Sequence, residues 1–107
     1  MIQMDMLLGR PKENFSHAAE LVRQAAKLSP DVLTLPETWN VGFFPKENLK
    51  ELADQDCAQV KETFSALAKE YQVNIIAGSA ATLRPDGKIY NTACSFDRQG
   101  GLVAEYA

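Results

Sequence analysis

Asp31-Val32-Leu33-Thr34-Leu35-Pro36-Glu37-Thr38-Trp39-Asn40 is the stretch on which the fold turns. Val32 to Leu35 forms the body of a short, largely apolar run, the length and composition of a strand covered on both faces. Pro36 has no amide hydrogen to give a sheet ladder and stops the strand. Glu37 is thereby left at the C-terminal lip of the strand, where open α/β sheets place their sites.

Upstream, Ser29-Pro30 closes an amphipathic helix that the apolar spacing places over Asn14 to Leu28. Phe15, Ala18, Ala19, Val22, Ala25 and Ala26 share one face, with Glu20, Arg23, Gln24 and Lys27 turned away. Before it, Ile2, Met4 and Met6 alternate with Gln3 and Asp5, which predicts a strand over Met1 to Leu7 broken by Gly9-Arg10-Pro11.

Downstream, Thr38 to Asp56 is long and mixed, with Trp39, Phe43 and Phe44 early, Gly42 and Pro45 between and beside them, and a short helix predicted over Asn48 to Ala53. Cys57 to Tyr71 carries a second helical stripe of Cys57, Val60, Phe64, Leu67, Ala68 and Tyr71. A third strand is predicted over Asn74 to Thr82. The turn Arg84-Pro85-Asp86-Gly87 makes it a hairpin with a fourth strand, Lys88 to Phe96. After Asp97-Arg98-Gln99-Gly100-Gly101, a fifth strand runs from Leu102 to Tyr106. This order predicts an α/β fold: a mixed sheet with helices on one face. The last strand reaches Ala107 without a turn, charge or proline to close its edge, so residues 1–107 are expected to be an incomplete domain.

Composition narrows the function. The chain has 107 residues, enough for one small domain that buries roughly two-thirds of its unfolded surface. The net charge of -3 and the interspersion of lysine and arginine with acids leave no basic face for nucleic acid. One histidine and two cysteines without a Cys-x-x-Cys pair give no metal cluster, and no cofactor is implied. No apolar run is long enough to span a membrane, and Met1 to Leu8 lacks the features of a secretion signal. The expected setting is cytoplasmic and reducing.

Glu37 is the candidate for chemistry. Trp39, Phe43 and Phe44 could exclude water from it and poise it as a general base. The competing reading is a solvated acid at a strand end with aromatics tucked beneath a loop. Cys57, on a helical apolar stripe, and Cys94, within a strand, read as packed thiols of low reactivity. His17 reads as a surface or capping residue. Asn91 either hydrogen-bonds backbone near the glutamate loop or serves as a strand-end turn residue.

Leu33-Thr34-Leu35-Pro36-Glu37-Thr38-Trp39-Asn40 resembles the first catalytic motif of the nitrilase superfamily of carbon–nitrogen hydrolases. Ile2-Gln3-Met4-Asp5, Asn74-Ile75-Ile76-Ala77-Gly78-Ser79, Lys88-Ile89-Tyr90-Asn91-Thr92-Ala93 and Asp97-Arg98-Gln99-Gly100-Gly101 resemble later and flanking segments of that family in the same order. The resemblance spans the whole chain and implies the N-terminal part of an αββα sandwich. It also implies cleavage of a small amide or nitrile by a Glu-Lys-Cys triad, of which only Glu37 has a counterpart here. The lysine would follow shortly after Glu105-Tyr106-Ala107 and the cysteine further on, so the chain alone is expected to be inactive. Trp39 and Phe43 are the residues expected to touch substrate, and the intact protein is expected to be a homodimer or larger. An alternative is a non-catalytic α/β module that binds a small ligand or a protein through the Trp39–Phe44 loop. A flavodoxin-like nucleotide binder ranks last, because Gly9-Arg10-Pro11-Lys12 is no phosphate loop.

Overall fold

Pro11 occupies the first turn of helix α1 (Pro11–Ala26), where its missing amide hydrogen costs nothing, so it starts the helix that it was expected to precede. The structure, a computed structural model, describes residues 1–42 and 48–107. Phe43 and Phe44 lie outside the described residues, as does Pro45. Phe15, Ala18, Ala19 and Val22 form the buried face of α1, as their spacing predicts.

Strand β1 (Val32–Thr34) is followed by helix α2 (Leu49–Leu52), strand β2 (Asp54–Gln55), helix α3 (Ala58–Tyr71) and strands β3 (Asn74–Ile76), β4 (Ala80–Leu83), β5 (Ile89–Phe96) and β6 (Leu102–Tyr106). The sheet runs in the order β1-β3-β5-β4-β2, with β6 also paired to β5. β1 and β3 are parallel, and α3 belongs to the crossover that parallel neighbours require. β5 is antiparallel to β3, β4 and β6, so the sheet is mixed.

α1 and α3 pack against each other and against the sheet. The main core gathers Phe15, Val22, Leu33, Leu35, Phe64, Ile75 and Phe96, among others. A smaller cluster joins Val41, Ala53 and Ala81 to Leu49, Leu52, Leu83 and Ile89. Since side chains alternate along a strand, Ala81 and Leu83 lie on the face of β4 opposite Ala80 and Thr82.

Four expectations need correction. Met1 to Leu7 forms no strand ladder, although Ile2 donates its amide to the Thr34 carbonyl at 2.8 Å and its side chain is buried as the alternation predicts. β1 is not covered on both faces, because Val32 is 46% exposed. β2 escaped the sequence; it is only Asp54-Gln55, set parallel to β4. The single strand expected over Asn74 to Thr82 is two strands, β3 and β4, laid end to end along one edge of β5.

The break has a geometric signature. Ile75 faces Phe96 and Ala80 faces Thr92, so five steps on one strand match four on the other. The extra residue is taken up as a bulge between Ala77 and Ala80. Gly78 sits in it at φ +58°. A side chain there would strike the carbonyl oxygens of Pro36 and Leu35, so only glycine lets the two segments approach.

Candidate functional site

Glu37 follows β1 by three residues and lies exposed at its C-terminal lip. The amide of Leu35 still donates to the Ile76 carbonyl at 3.0 Å, so the sheet pairing extends to the residue before Pro36. A turn then carries residues 37–41 across the end of the sheet.

That turn is fastened to the bulge and to β4 residue by residue. The Ser79 amide donates to the Pro36 carbonyl at 3.3 Å. The Ser79 hydroxyl accepts the Thr38 amide at 3.1 Å. Nε1 of Trp39 donates to the Ala77 carbonyl at 2.8 Å. The Asn40 side chain behaves like a strand neighbour of Ala81, accepting its amide at 2.9 Å and donating to its carbonyl at 3.0 Å. Asn14 of α1 closes the far side, donating from Nδ2 to the carbonyls of Leu7 (2.8 Å) and Asn40 (3.0 Å). Asn14 and Asn40 are both buried, where an unmet amide would be costly, so their bonds fix the turn as well as satisfy it.

Asn91 of β5 donates its side-chain amide to Oε1 of Glu37 at 3.0 Å. Asn91 was expected to bond backbone near the glutamate loop or to serve as a turn residue; its partner is instead the Glu37 side chain itself. Next to this pair lies an apolar groove of about 210 Å³, lined by Thr38, Val41, Leu49, Ala81, Ile89 and Asn91 among others. Thr38 stands at φ +48°, and its buried hydroxyl has no hydrogen-bond partner among the described residues.

Trp39 is 0% exposed. Its ring packs edge-on between Phe15, with centroids 4.6 Å apart, and Phe64, at 5.4 Å. Here it holds up the turn from below and offers no surface to a ligand. Phe43, the other residue expected to touch substrate, lies outside the described residues. His17 is exposed on α1. Both cysteines are buried, as expected of packed thiols, and their sulfurs lie 3.4 Å apart.

Asp54 escaped the sequence reading. Its buried carboxylate accepts the amides of Gln59 (3.0 Å) and Val60 (2.9 Å), capping the free amides at the start of α3. Over α3 and the sheet, Glu105 of β6 pairs with Lys61 at 3.0 Å and Arg84 at 2.9 Å, and Arg84 also reaches Asp56 at 2.9 Å. The hydrogen bond from Lys61, helped by the one from Arg84, holds the Glu105 carboxyl below its usual range. Among the described residues no three His, Cys, Asp or Glu side chains are grouped to hold a metal, and no helix is long and apolar enough to cross a membrane.

Residues 1–107 match the family model described as carbon–nitrogen hydrolase. The chain is 37% identical over 105 residues to the 2-oxoglutaramate amidase of Bacillus subtilis, covering 98% of this chain and 39% of that protein. It is 31% identical over 94 residues to the omega-amidase of Homo sapiens, covering 88% of this chain and 33% of that protein. Its fold superposes on Saccharomyces cerevisiae Nit3, a member of branch 10 of the nitrilase superfamily, with a TM-score of 0.84 and 23% identity, over 99% of this chain and 41% of that one. A carbon–nitrogen hydrolase from Helicobacter pylori superposes with a TM-score of 0.80 and 26% identity, over 97% of this chain and 36% of that one. The chain thus spans about two-fifths or less of the proteins it matches here. With the mixed sheet and the motif at Glu37 carried together over its full length, the chain belongs to the carbon–nitrogen hydrolase family.

Proposed function

We propose that the protein carrying this chain hydrolyses the carbon–nitrogen bond of a small amide, with Glu37 moving the protons. The observation that carries the reading is the placing of Glu37: a carboxylate at a strand tip, on a turn fastened at Pro36, Thr38, Trp39 and Asn40, with one oxygen held by Asn91. Such fixing supplies the pre-positioning on which general-base catalysis depends.

In this reading Glu37 takes the proton of a cysteine thiol as the sulfur attacks the amide carbon. The C–N bond breaks, and ammonia or an amine leaves with a proton. Glu37 then takes a proton from the water that cleaves the thioester, and a lysine steadies the oxyanion in both steps. Cys57 and Cys94 are buried together in the core and do not serve as nucleophile. The cysteine and the lysine come from outside residues 1–107, so these residues expressed alone are expected to show no turnover.

The names of the relatives, 2-oxoglutaramate amidase and omega-amidase, favour a dicarboxylate monoamide as substrate. The groove beside Glu37 would take its short apolar chain, and Phe43 keeps its assignment as a substrate contact. Trp39 acts from beneath, by holding the turn. The working enzyme is a cytoplasmic homodimer or larger assembly. The test is Glu37→Gln in the whole protein, assayed on short dicarboxylate monoamides. Turnover is expected to fall by about a hundredfold or more with little change in KM. Near-normal turnover would make Glu37 a bystander.

A further inference from the structure

The chain has two cysteines, and the fold brings both to one point. Cys57 immediately precedes α3, and Cys94 lies in β5, 37 positions away. Their sulfurs are 3.4 Å apart, and both residues are buried from solvent. Cys57 stands at φ +63°, a backbone conformation uncommon for a residue with a side chain, while its carbonyl accepts the Lys61 amide in the first turn of the helix. The pair plays no part in the hydrolysis proposed above.

We propose that Cys57 and Cys94 are a modification site, forming a reversible disulfide within the chain when the protein meets hydrogen peroxide. A disulfide places its sulfurs about 2.05 Å apart, so they need to close by roughly 1.3 Å. The surroundings favour Cys94 as the first to react. Either thiol can donate to the other; with Cys57 as donor, that bond lowers the pKa of Cys94 against the opposing effects of burial and Glu105, and the same bond and burial push Cys57 up. Reactivity resides in the thiolate.

The chemistry balances without further reagents. The Cys94 sulfur attacks one peroxide oxygen; an S–O bond forms, the O–O bond breaks, and the departing oxygen leaves as water with the thiol proton. The Cys57 sulfur then attacks the oxidised sulfur; the S–S bond forms, the S–O bond breaks, and the hydroxyl leaves as a second water with the other thiol proton. The two thiols lose two electrons and the peroxide gains them. Because both sulfurs are buried, the reaction waits on local opening and runs slower than at an exposed thiol.

The test treats the whole folded protein with hydrogen peroxide, alkylates the remaining thiols, digests with trypsin and maps the peptides. Cleavage after Lys50, Lys61, Lys88 and Arg98 releases one cysteine on residues 51–61 and the other on residues 89–98. The expected product is these two peptides joined, lighter than their sum by two hydrogens and separated again by dithiothreitol. Oxidation is also expected to raise Tm in the wild type and to leave Tm unchanged in Cys57→Ser. Recovery of both peptides in alkylated form, or of sulfinic or sulfonic acid at either cysteine without the joined product, overturns the proposal. The wild-type peptide map decides by itself if the serine variant folds poorly.

Discussion

The Asn91 side chain reaches across 54 positions of sequence to donate to the Glu37 carboxylate at 3.0 Å. It presents one oxygen of the acid with a fixed donor. Asn91→Ala in the whole enzyme is expected to lower kcat on a small amide by about tenfold, since holding a base in line is worth an order of magnitude or more in rate. Both residues are exposed, so the urea midpoint is expected to stay within error. A variant with full turnover would show that the contact has no catalytic weight.

Gly78 is expected to tolerate no side chain. Alanine there combines a left-handed backbone with a collision against the carbonyls of Leu35 and Pro36. Gly78→Ala should cost about 2 kcal/mol or more of unfolding free energy, measured in denaturant. It should also reduce turnover per folded molecule, because the turn bearing Glu37 is displaced. Wild-type stability would mean that the bulge relaxes without loss.

Trp39 should behave as a strut. Trp39→Phe keeps a ring between Phe15 and Phe64 but removes the bond to the Ala77 carbonyl, at a cost of about 1–3 kcal/mol. Trp39→Ala should cost about 3–5 kcal/mol. In Trp39→Phe, KM is expected to hold while stability falls. A raised KM with unchanged stability would return this residue to the substrate surface.

Acid should weaken the Glu105 cluster. The Lys61 hydrogen bond sets the folded pKa of Glu105 below its unfolded value of about 4.3. The stability this supplies is present above that value and is lost as pH falls through the lower folded one. Urea midpoints of wild type and Glu105→Gln are expected to differ at pH 6 and to converge towards pH 3. The gap should also narrow with added salt, since the partners are partly exposed. A gap that ignores pH would mean the glutamate acts by packing.

The sequence shows α1, α3, the β4–β5 hairpin and the lip position of Glu37 because each is written locally, as an apolar period, a turn or a proline. Pro11 misled because proline serves equally as a breaker and as a first-turn residue. The break at Gly78 and the pairing of Asp54-Gln55 with β4 were hidden because both are decided by partners distant in sequence. The same holds for the supports of the site. Ser79 and Asn40 lie within the segments that carry the family resemblance, but their roles as clasps appear only when the Glu37 turn meets β4. The aromatics near Glu37 suggested a dry pocket, yet Trp39 turns inward and the acid is exposed, a distinction that composition cannot make.

The bulge at Gly78 and Ser79 has a bearing on biogenesis. The clasps from Ala77, Ser79 and Ala81 come from residues made some forty positions later, so a nascent chain that has emerged only as far as Glu37 has Asn14 in place but holds a loose carboxylate. The acid takes its final bearing only after the crossover helix has docked and the interrupted strand has threaded beside it. On the proposed mechanism, misregistered chains would be inert, and turnover per molecule would gauge correct assembly.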